Sequence, residues 1–202
     1  TFTSNTGNQG AAISSNGTIT VSDCTFTGNT ATSSSATGLG GGAIYSSSTA
    51  VPISAAISNS TFTGNSEVGG SGGGGAVRNR SGTMTITNSV FTGNSAVRGG
   101  GAFQAGGVTT ISNSTFTGNS ATGLNASVSG QGSGGAISTQ GGSQTTITDS
   151  VITGNSAVNG GGGIYYQTNS GGAFMNVTNS TISNNAANTS SGLDDSSTDS
   201  PD

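Results

Sequence analysis

Apolar residues recur along the chain in fixed contexts rather than in long runs. One motif is a Phe or Ile followed three residues later by Asn, as in Phe26 and Asn29, and it occurs seven times at spacings of 24 to 36 residues. A second motif between these copies is a group of small residues followed by one apolar residue, such as Gly-Gly-Ala-Val at 74–77. A third apolar position, such as Ile86, lies five residues before each later Phe or Ile.

Each repeat therefore indicates short β-strands that are separated by turns rich in Gly, Ser and Asn. None of the segments is long enough for an amphipathic helix. A single repeat cannot bury its apolar side, whereas stacked repeats share one core. We predict an all-β fold, a right-handed parallel β-helix (solenoid) of about seven coils with about three short strands per coil, in which the longer spacings contain loop insertions.

Stacking would align equivalent residues of successive coils in columns. The anchors of the first motif should form an inward stack of Phe26, Phe62, Phe91, Phe116, Ile152 and Ile182. The Asn residues of that motif should form a ladder at one turn, made of Asn29, Asn65, Asn94, Asn119 and Asn155. A second ladder is predicted three residues before the anchors, at Asn59, Asn88, Asn113 and Asn179. Cys24 stands where the other coils have a small Ser in a tight turn.

The composition separates the repeats from the end of the chain. Charged residues make up 5% of the chain, which has 38 glycines, two prolines and no histidine. Four of the seven acidic residues lie within the last nine positions, so residues 1–193 carry three positive and three negative charges. We predict a β-helix domain at 1–189, which begins in the middle of a repeat, and an acidic Ser/Asp-rich tail or linker at 190–202. The neutral body disfavours nucleic acid as a partner, and no apolar run is long enough for membrane insertion by this chain.

The paired motifs resemble the Gly-Gly-Ala-Ile and Phe-x-x-Asn repeats of the chlamydial polymorphic outer-membrane proteins over roughly Thr1–Asn185. The resemblance implies a secreted or cell-surface β-helical passenger, similar to those of autotransporters, that works as an adhesin. It implies the surface of a host or neighbouring cell as the partner.

Catalytic chemistry is not expected from these residues. Glycoside hydrolysis needs paired carboxylates, and a lyase needs a base and commonly a calcium site. Asp23 and Asp149 occupy equivalent turns four coils apart, and no histidine is present to activate a nucleophile. The prediction is a protein that is not an enzyme and has no cofactor or metal.

The three arginines are the only basic residues, and they come from adjacent coils. They predict either a local ion-pair cluster with Glu67 or a site for a small anion or glycan. Tyr45, Arg78 and Tyr165 each follow the apolar residue of the second motif, so they should point outward on one face, where Tyr45 and Arg78 could stack. The candidate ligand surface is Tyr45, Arg78, Arg80, Arg98 and Tyr165.

The neighbours of the Phe column predict an outer face with two files of threonine. This face resembles the Thr-x-Thr faces of solenoid antifreeze proteins, although threonine is also simply a good exposed strand residue. The candidate ice-binding residues are Thr25, Thr27, Thr61, Thr63, Thr92, Thr115, Thr117 and Thr153.

Three functions remain open from the sequence. The first is an extracellular, surface-exposed, non-catalytic structural or adhesive module that binds a cell surface or a glycan. The second is a subunit of an extracellular filament or matrix fibre, assembled from copies of the chain by end-to-end stacking or strand donation. The third is an ice-binding protein that uses the threonine face.

Overall fold

The computed structural model describes residues 1–32, 40–47, 53–69, 72–124, 131–139, 141–167 and 173–188, and the backbone of Leu193–Asp195. Strands of these residues pair only with equivalent strands of the preceding and following coils, always in parallel. The predicted all-β parallel solenoid is therefore confirmed. Among the same residues there is no helix with the length and apolar character needed to cross a membrane.

Each complete coil supplies one strand to each of four sheets, rather than the three strands per coil expected from the sequence. Sheet A contains Phe2–Thr3, Thr25–Thr27, Thr61–Thr63, Val90–Thr92, Thr115–Thr117, Val151–Thr153 and Thr181–Ser183. Sheet B contains Thr6–Gly7, Thr30–Ala31, Ser66–Glu67, Ser95–Ala96, Ser120–Ala121, Ser156–Ala157 and Ala186–Ala187. Sheet C contains Ile13–Ser15, Ile44–Ser46, Val77–Asn79, Phe103–Ala105, Ile137–Thr139, Ile164–Tyr166 and Leu193–Asp195. Sheet D contains Ile19–Ser22, Ser54–Ser58, Thr83–Thr87, Val108–Ser112, Gln144–Thr148 and Phe174–Thr178.

Sheet B is the one that the sequence pattern did not reveal. Its strands are only two residues long, and the buried residue of each strand is usually Ala, as at Ala31 and Ala96. An alternating pattern of apolar and polar residues needs about four or more positions to be recognised, so a two-residue strand has no detectable period.

The core contains a stack of aromatic rings on the inner side of sheet A. Neighbouring rings from Phe2 to Phe116 have centroids 4.6–4.7 Å apart and planes within 2–4° of parallel. This separation is close to the distance of about 4.8 Å between neighbouring strands, so each coil adds one ring directly over the last. Ile152 continues the column as a fully buried residue, and Ile182 follows it in a half-buried position.

The turn between sheets A and B holds a buried asparagine ladder. The Nδ2 atom of each Asn from Asn5 to Asn155 donates to the Oδ1 atom of the Asn in the next coil at 2.7–2.9 Å. From Asn29 onward, Nδ2 also donates to the carbonyl oxygen of the Phe or Ile in the previous coil at 3.0–3.1 Å. The ladder therefore satisfies polar groups of a turn that water does not reach.

The turn between sheets D and A holds the second column, which is exposed. Its members Asn59, Asn88, Asn113 and Asn179, like Asp23 and Asp149, have φ values of 49–54°. Asn and Asp tolerate this left-handed conformation better than most residues, which explains their selection here. Side-chain hydrogen bonds join Asn59 to Asp23 and Asn88 to Asn59 at 3.3 Å, and Asn179 to Asp149.

The next column contains the serines that the sequence aligned with Cys24. The Oγ atoms of Ser60, Ser89, Ser114 and Ser150 each donate to a carbonyl oxygen two residues earlier and accept from the backbone of the previous coil. Cys24 lies at the same position, half-buried, and its backbone N–H donates to Ser60 Oγ at 3.2 Å.

The backbone of Leu193–Asp195 pairs in parallel with Ile164–Tyr166 and adds a seventh strand to sheet C. The β-helix backbone thus extends into the segment that the sequence analysis assigned to the acidic tail. The remainder of the predicted tail, residues 190–192 and 196–202, lies outside the described residues.

Candidate functional site

Three of the sequence-predicted ligand residues, Tyr45, Arg78 and Tyr165, lie on the outer side of sheet C. The middle residues of its strands form a continuous row, in register from coil to coil, that comprises Tyr45, Arg78, Gln104, Ser138 and Tyr165. Each of them lies on the face opposite to the core residue that precedes it, because neighbouring side chains of a strand point to opposite faces. The outward direction predicted for Tyr45, Arg78 and Tyr165 agrees with this register.

The row is buried, however, whereas the sequence predicted exposed side chains. Tyr45 is 2%, Arg78 7% and Tyr165 9% exposed. The glycine-rich turn is one cause, since a Cβ atom added to Gly73 would overlap the Gln104 side chain. The outer face of sheet C is therefore a packed polar layer and not an open tyrosine platform.

Arg78 is the centre of this layer. Its Nη1 atom donates to Oε1 of Gln104 in the next coil. Its Nε atom and the Nε2 atom of Gln104 are buried, and neither has a hydrogen-bond partner among the described residues. On the other side, Arg80 donates from Nη1 to the Tyr45 hydroxyl at 3.4 Å. The guanidinium groups of Arg78 and Arg80 thus both bind side chains of this row.

Glu67 supplies the negative charge of the cluster from an unexpected place. It occupies a position of sheet B that is in register with Ala31 and Ala96, and it is 2% exposed. Its Oε2 atom accepts a hydrogen bond from the backbone N–H of Val97, next to Arg98, at 3.2 Å. A charged side chain in an alanine column is costly unless it is paired, so its placement beside the arginines is the important feature.

The surroundings of Arg78 disfavour the charged form of its guanidinium group. Burial lowers the pKa of the Arg78 guanidinium from its ordinary value to about 10. Tyr45 and Glu67 act to raise this pKa, whereas the positive charges of Arg98 and Arg80 lower it. Arg80 and Arg98 therefore both act on Arg78, and Tyr45 does so as well, so four of the five sequence-predicted ligand residues meet at this cluster. Tyr165 is separated from Arg78 by two further positions of the row.

Sequence reasoning missed Gln104 and the burial of Glu67. Gln104 follows Phe103 in the second motif just as Arg78 follows Val77, so the repeat alignment contained the signal for its position. The burial of Glu67 had no such signal, because sheet B was not recognised.

The threonine face lies on the outer side of sheet A. One file pairs Thr25, Thr61, Val90, Thr115 and Val151 in register, and the other pairs Thr27, Thr63, Thr92, Thr117 and Thr153. All of these side chains are exposed or half-buried. Val90 and Val151, at 40% and 39% exposure, replace a hydroxyl by a methyl group in the first file. The face thus combines hydroxyl and methyl groups and has no charge.

Carboxylates suited to general acid–base chemistry are dispersed. Asp23 and Asp149 belong to the same exposed column, with Asn59, Asn88 and Asn113 between them. In the part of the chain that the structure describes, no group of three or more His, Cys, Asp or Glu is placed to hold a metal ion.

A family model described as a right-handed β-helix region matches residues 33–200 of the chain. No curated protein sequence and no solved structure gives a match. The family match covers more than half of the chain and agrees with the parallel pairing of every sheet.

Proposed function

This chain belongs to the right-handed β-helix family, and we propose that it serves as a non-catalytic structural and adhesive module on an extracellular surface. The observation that carries the proposal is the outer face of sheet A, which is uncharged, carries hydroxyl groups and stays in register over the coils. A β-helix family also accommodates enzymes, so the proposal depends on this face and not on the fold.

The structural part of the proposal rests on how the coils are joined. Parallel backbone pairing, the Phe stack and the buried asparagine ladder all connect one coil to the next. A solenoid in which each coil contacts its neighbours along four sheets is suited to act as a stiff spacer.

The adhesive part rests on the chemistry of the threonine face. Threonine offers a hydroxyl that can donate or accept and a methyl that can contact apolar surface. A flat array of such groups can make many weak contacts with the glycans of a host or neighbouring cell without long-range charge effects. The proposed location is accordingly the cell surface or the extracellular medium.

Adhesion can be tested with beads that are coated with the chain and applied to cultured cells whose surface carries glycans. The double variant Thr63→Glu/Thr92→Glu places two charges in adjacent coils of sheet A, where both residues are exposed. The matched control is Thr85→Glu/Thr110→Glu, which places two charges in adjacent coils of sheet D, again at exposed positions. We expect only the first variant to lose adhesion.

Equal adhesion by both variants would rule out the threonine face as the adhesive surface. For the location, an antibody against the chain should label intact cells that express it, and labelling only after permeabilisation would contradict an extracellular role. Concentration-dependent filaments in electron micrographs of the purified chain would instead favour a fibre subunit.

Ice binding is a second candidate because of one specific observation. The two threonine files follow a parallel ladder whose coils are about 4.8 Å apart, a regular spacing of the kind that a crystalline surface can match. Thermal hysteresis measured on the same two double variants tests this candidate. A hysteresis that is present in the wild type and lost only in Thr63→Glu/Thr92→Glu is expected, and no hysteresis in the wild type would overturn it.

A further inference from the structure

We propose that the arginine cluster on the outer side of sheet C is a binding site for an oxyanion, of the kind carried by the carboxylate groups of an acidic polysaccharide. The cluster is defined by Arg78, Arg80 and Arg98, with Tyr45 and Gln104 beside them. It lies on a different sheet from the threonine face, so it is independent of the adhesive function proposed above.

The arginine cluster has a net positive charge. Three arginines and one glutamate, Glu67, leave a local net charge of +2 in a chain whose charged residues are only 5% of the total. The remaining described carboxylates, Asp23 and Asp149, are exposed in a different column. Glu67 offsets one of these charges, so the cluster as a whole is positive and would attract an anion.

In the described part of the chain, two buried N–H groups of the cluster are free to donate hydrogen bonds to a ligand. Nε of Arg78 and Nε2 of Gln104 are buried donors without a partner among the described residues, although most buried polar groups in proteins are paired. Gln104 accepts from Arg78 Nη1 through Oε1, which leaves its amide N–H groups to donate elsewhere. An anion with several acceptor oxygens would satisfy both donors.

The three arginines differ in how far they are exposed to solvent. Arg78 is buried, Arg98 is half-buried and Arg80 is exposed. The cluster therefore has one guanidinium group in contact with solvent and one that solvent hardly reaches. An anion approaching from outside would therefore meet Arg80 before it reaches Arg78.

The chemistry of the guanidinium group selects the ligand. Its planar fork of N–H donors matches the two oxygens of a carboxylate or the oxygens of a phosphate, with stronger hydrogen bonds than neutral donors make. The Tyr45 hydroxyl accepts from Arg80 and so holds that guanidinium beside the row. A carboxylate presents two coplanar oxygens to such a group, which is the geometry that a guanidinium fork binds.

The test uses three probes with the full chain. Polygalacturonate is titrated calorimetrically, dextran serves as the neutral polysaccharide, and inorganic phosphate is added as a competitor and in thermal melts at constant ionic strength. We expect binding of polygalacturonate and not of dextran, competition by phosphate, and a rise in the melting temperature with phosphate, since a ligand stabilises the folded state it binds.

Variants separate the site from general charge effects. Arg80→Gln and Arg98→Gln should weaken polygalacturonate binding about tenfold or more, the equivalent of one lost charge-assisted hydrogen bond. Thr110→Glu changes the net charge by the same amount on the exposed face of sheet D and should leave the affinity within about twofold. Arg78→Met should abolish binding, and the two exposed or half-buried variants decide the matter if Arg78→Met fails to fold.

Each result has a defined meaning. Phosphate stabilisation without polygalacturonate binding, lost in Arg80→Gln, supports the oxyanion site with a free anion as its source. Binding of neither probe, or equal weakening by Thr110→Glu and Arg80→Gln, overturns the proposal and leaves an internal ion-pair cluster with Glu67.

Discussion

The Oδ1 atom of Asn119 accepts two hydrogen bonds from Asn94, one from the side-chain Nδ2 and one from the backbone N–H, both at 2.9 Å. The same Nδ2 donates to the Phe62 carbonyl oxygen at 3.0 Å, so one side chain joins three coils. Asn65 repeats this arrangement on Asn94 at 2.9 Å. The buried ladder is therefore a chain of coupled hydrogen bonds and not a set of separate pairs.

Replacement of Asn94 by alanine should destabilise the protein by about 4 kcal/mol, since it leaves several buried donors and acceptors unpaired at about 1–3 kcal/mol each. Guanidinium denaturation measures the effect. Asn88→Gly is the control, because Asn88 belongs to the exposed ladder and its φ of 49° suits glycine. The control should lose less than about 1 kcal/mol. Similar losses in the two variants would show that the buried ladder has no special role.

Two glycines, one in the glycine-rich turn and one in the turn between sheets A and B, offer a matched pair of Gly→Ala changes. Gly74 and Gly93 both have left-handed φ values, 72° and 62°. A Cβ at Gly74 would overlap the carbonyl oxygen of Val77, whereas a Cβ at Gly93 would meet no atom within 4 Å. Gly93→Ala should cost about 1–2 kcal/mol from the backbone conformation alone. Gly74→Ala should cost about 3 kcal/mol or more because a steric clash is added.

Equilibrium denaturation of the two alanine variants gives this comparison directly. If Gly74→Ala were as stable as Gly93→Ala, the close approach of the turn to sheet C would be absent in solution.

Thr145→Val should stabilise the protein. Thr145 is fully buried on the inner side of sheet D, next to Thr109, and its hydroxyl has no hydrogen-bond partner among the described residues. Removal of an unpaired buried hydroxyl at almost constant shape should raise the free energy of unfolding by about 1 kcal/mol. Thr146→Val on the half-buried outer face is the control and should stay within about 0.5 kcal/mol. A loss of stability in Thr145→Val would contradict the expectation.

Arg78→Met should raise the melting temperature while removing the oxyanion site. The depression of the Arg78 pKa to about 10 means that the charged form is disfavoured in the folded state, by roughly 3 kcal/mol at neutral pH. Part of this gain is offset because Gln104 loses its donor, so we expect about 2 kcal/mol. Lys is not a suitable replacement, since it would retain the buried charge. A large destabilisation would indicate that the charge is compensated within the chain.

The lowered pKa of Arg78 also predicts how the stability difference between Arg78→Met and the wild type depends on pH. From about pH 10 up to the ordinary pKa of an arginine, the unfolded state holds a proton on Arg78 that the folded state has released. The free energy of unfolding of the wild type therefore rises with pH through this window. The amount by which the wild type is less stable than Arg78→Met is largest below pH 10. Denaturation of both proteins across the window should show the difference between them shrinking. A constant difference would show that the pKa of Arg78 is not depressed.

The amino-acid sequence by itself determined the fold and the columns. In a solenoid, equivalent residues of successive coils lie directly over one another, so the spacing of motifs specifies which side chains meet. Phe26 and Phe62 are 36 residues apart, yet their rings stack at 4.7 Å, and Asn29 and Asn65 are hydrogen-bonded as the repeat predicts. The threonine files on sheet A follow from the same register.

Only the tertiary structure decided what is buried outside the core. Alternation along a strand places Tyr45 and Arg78 on the outer face, but their burial depends on turns from other coils, such as the one at Gly73, that the strand pattern does not describe. Glu67 is a similar case, because its strand is too short to be recognised and its partner Val97 lies in the next coil. Packing between distant segments thus buried Tyr45, Arg78 and Tyr165, which the strand pattern alone places on an exposed surface.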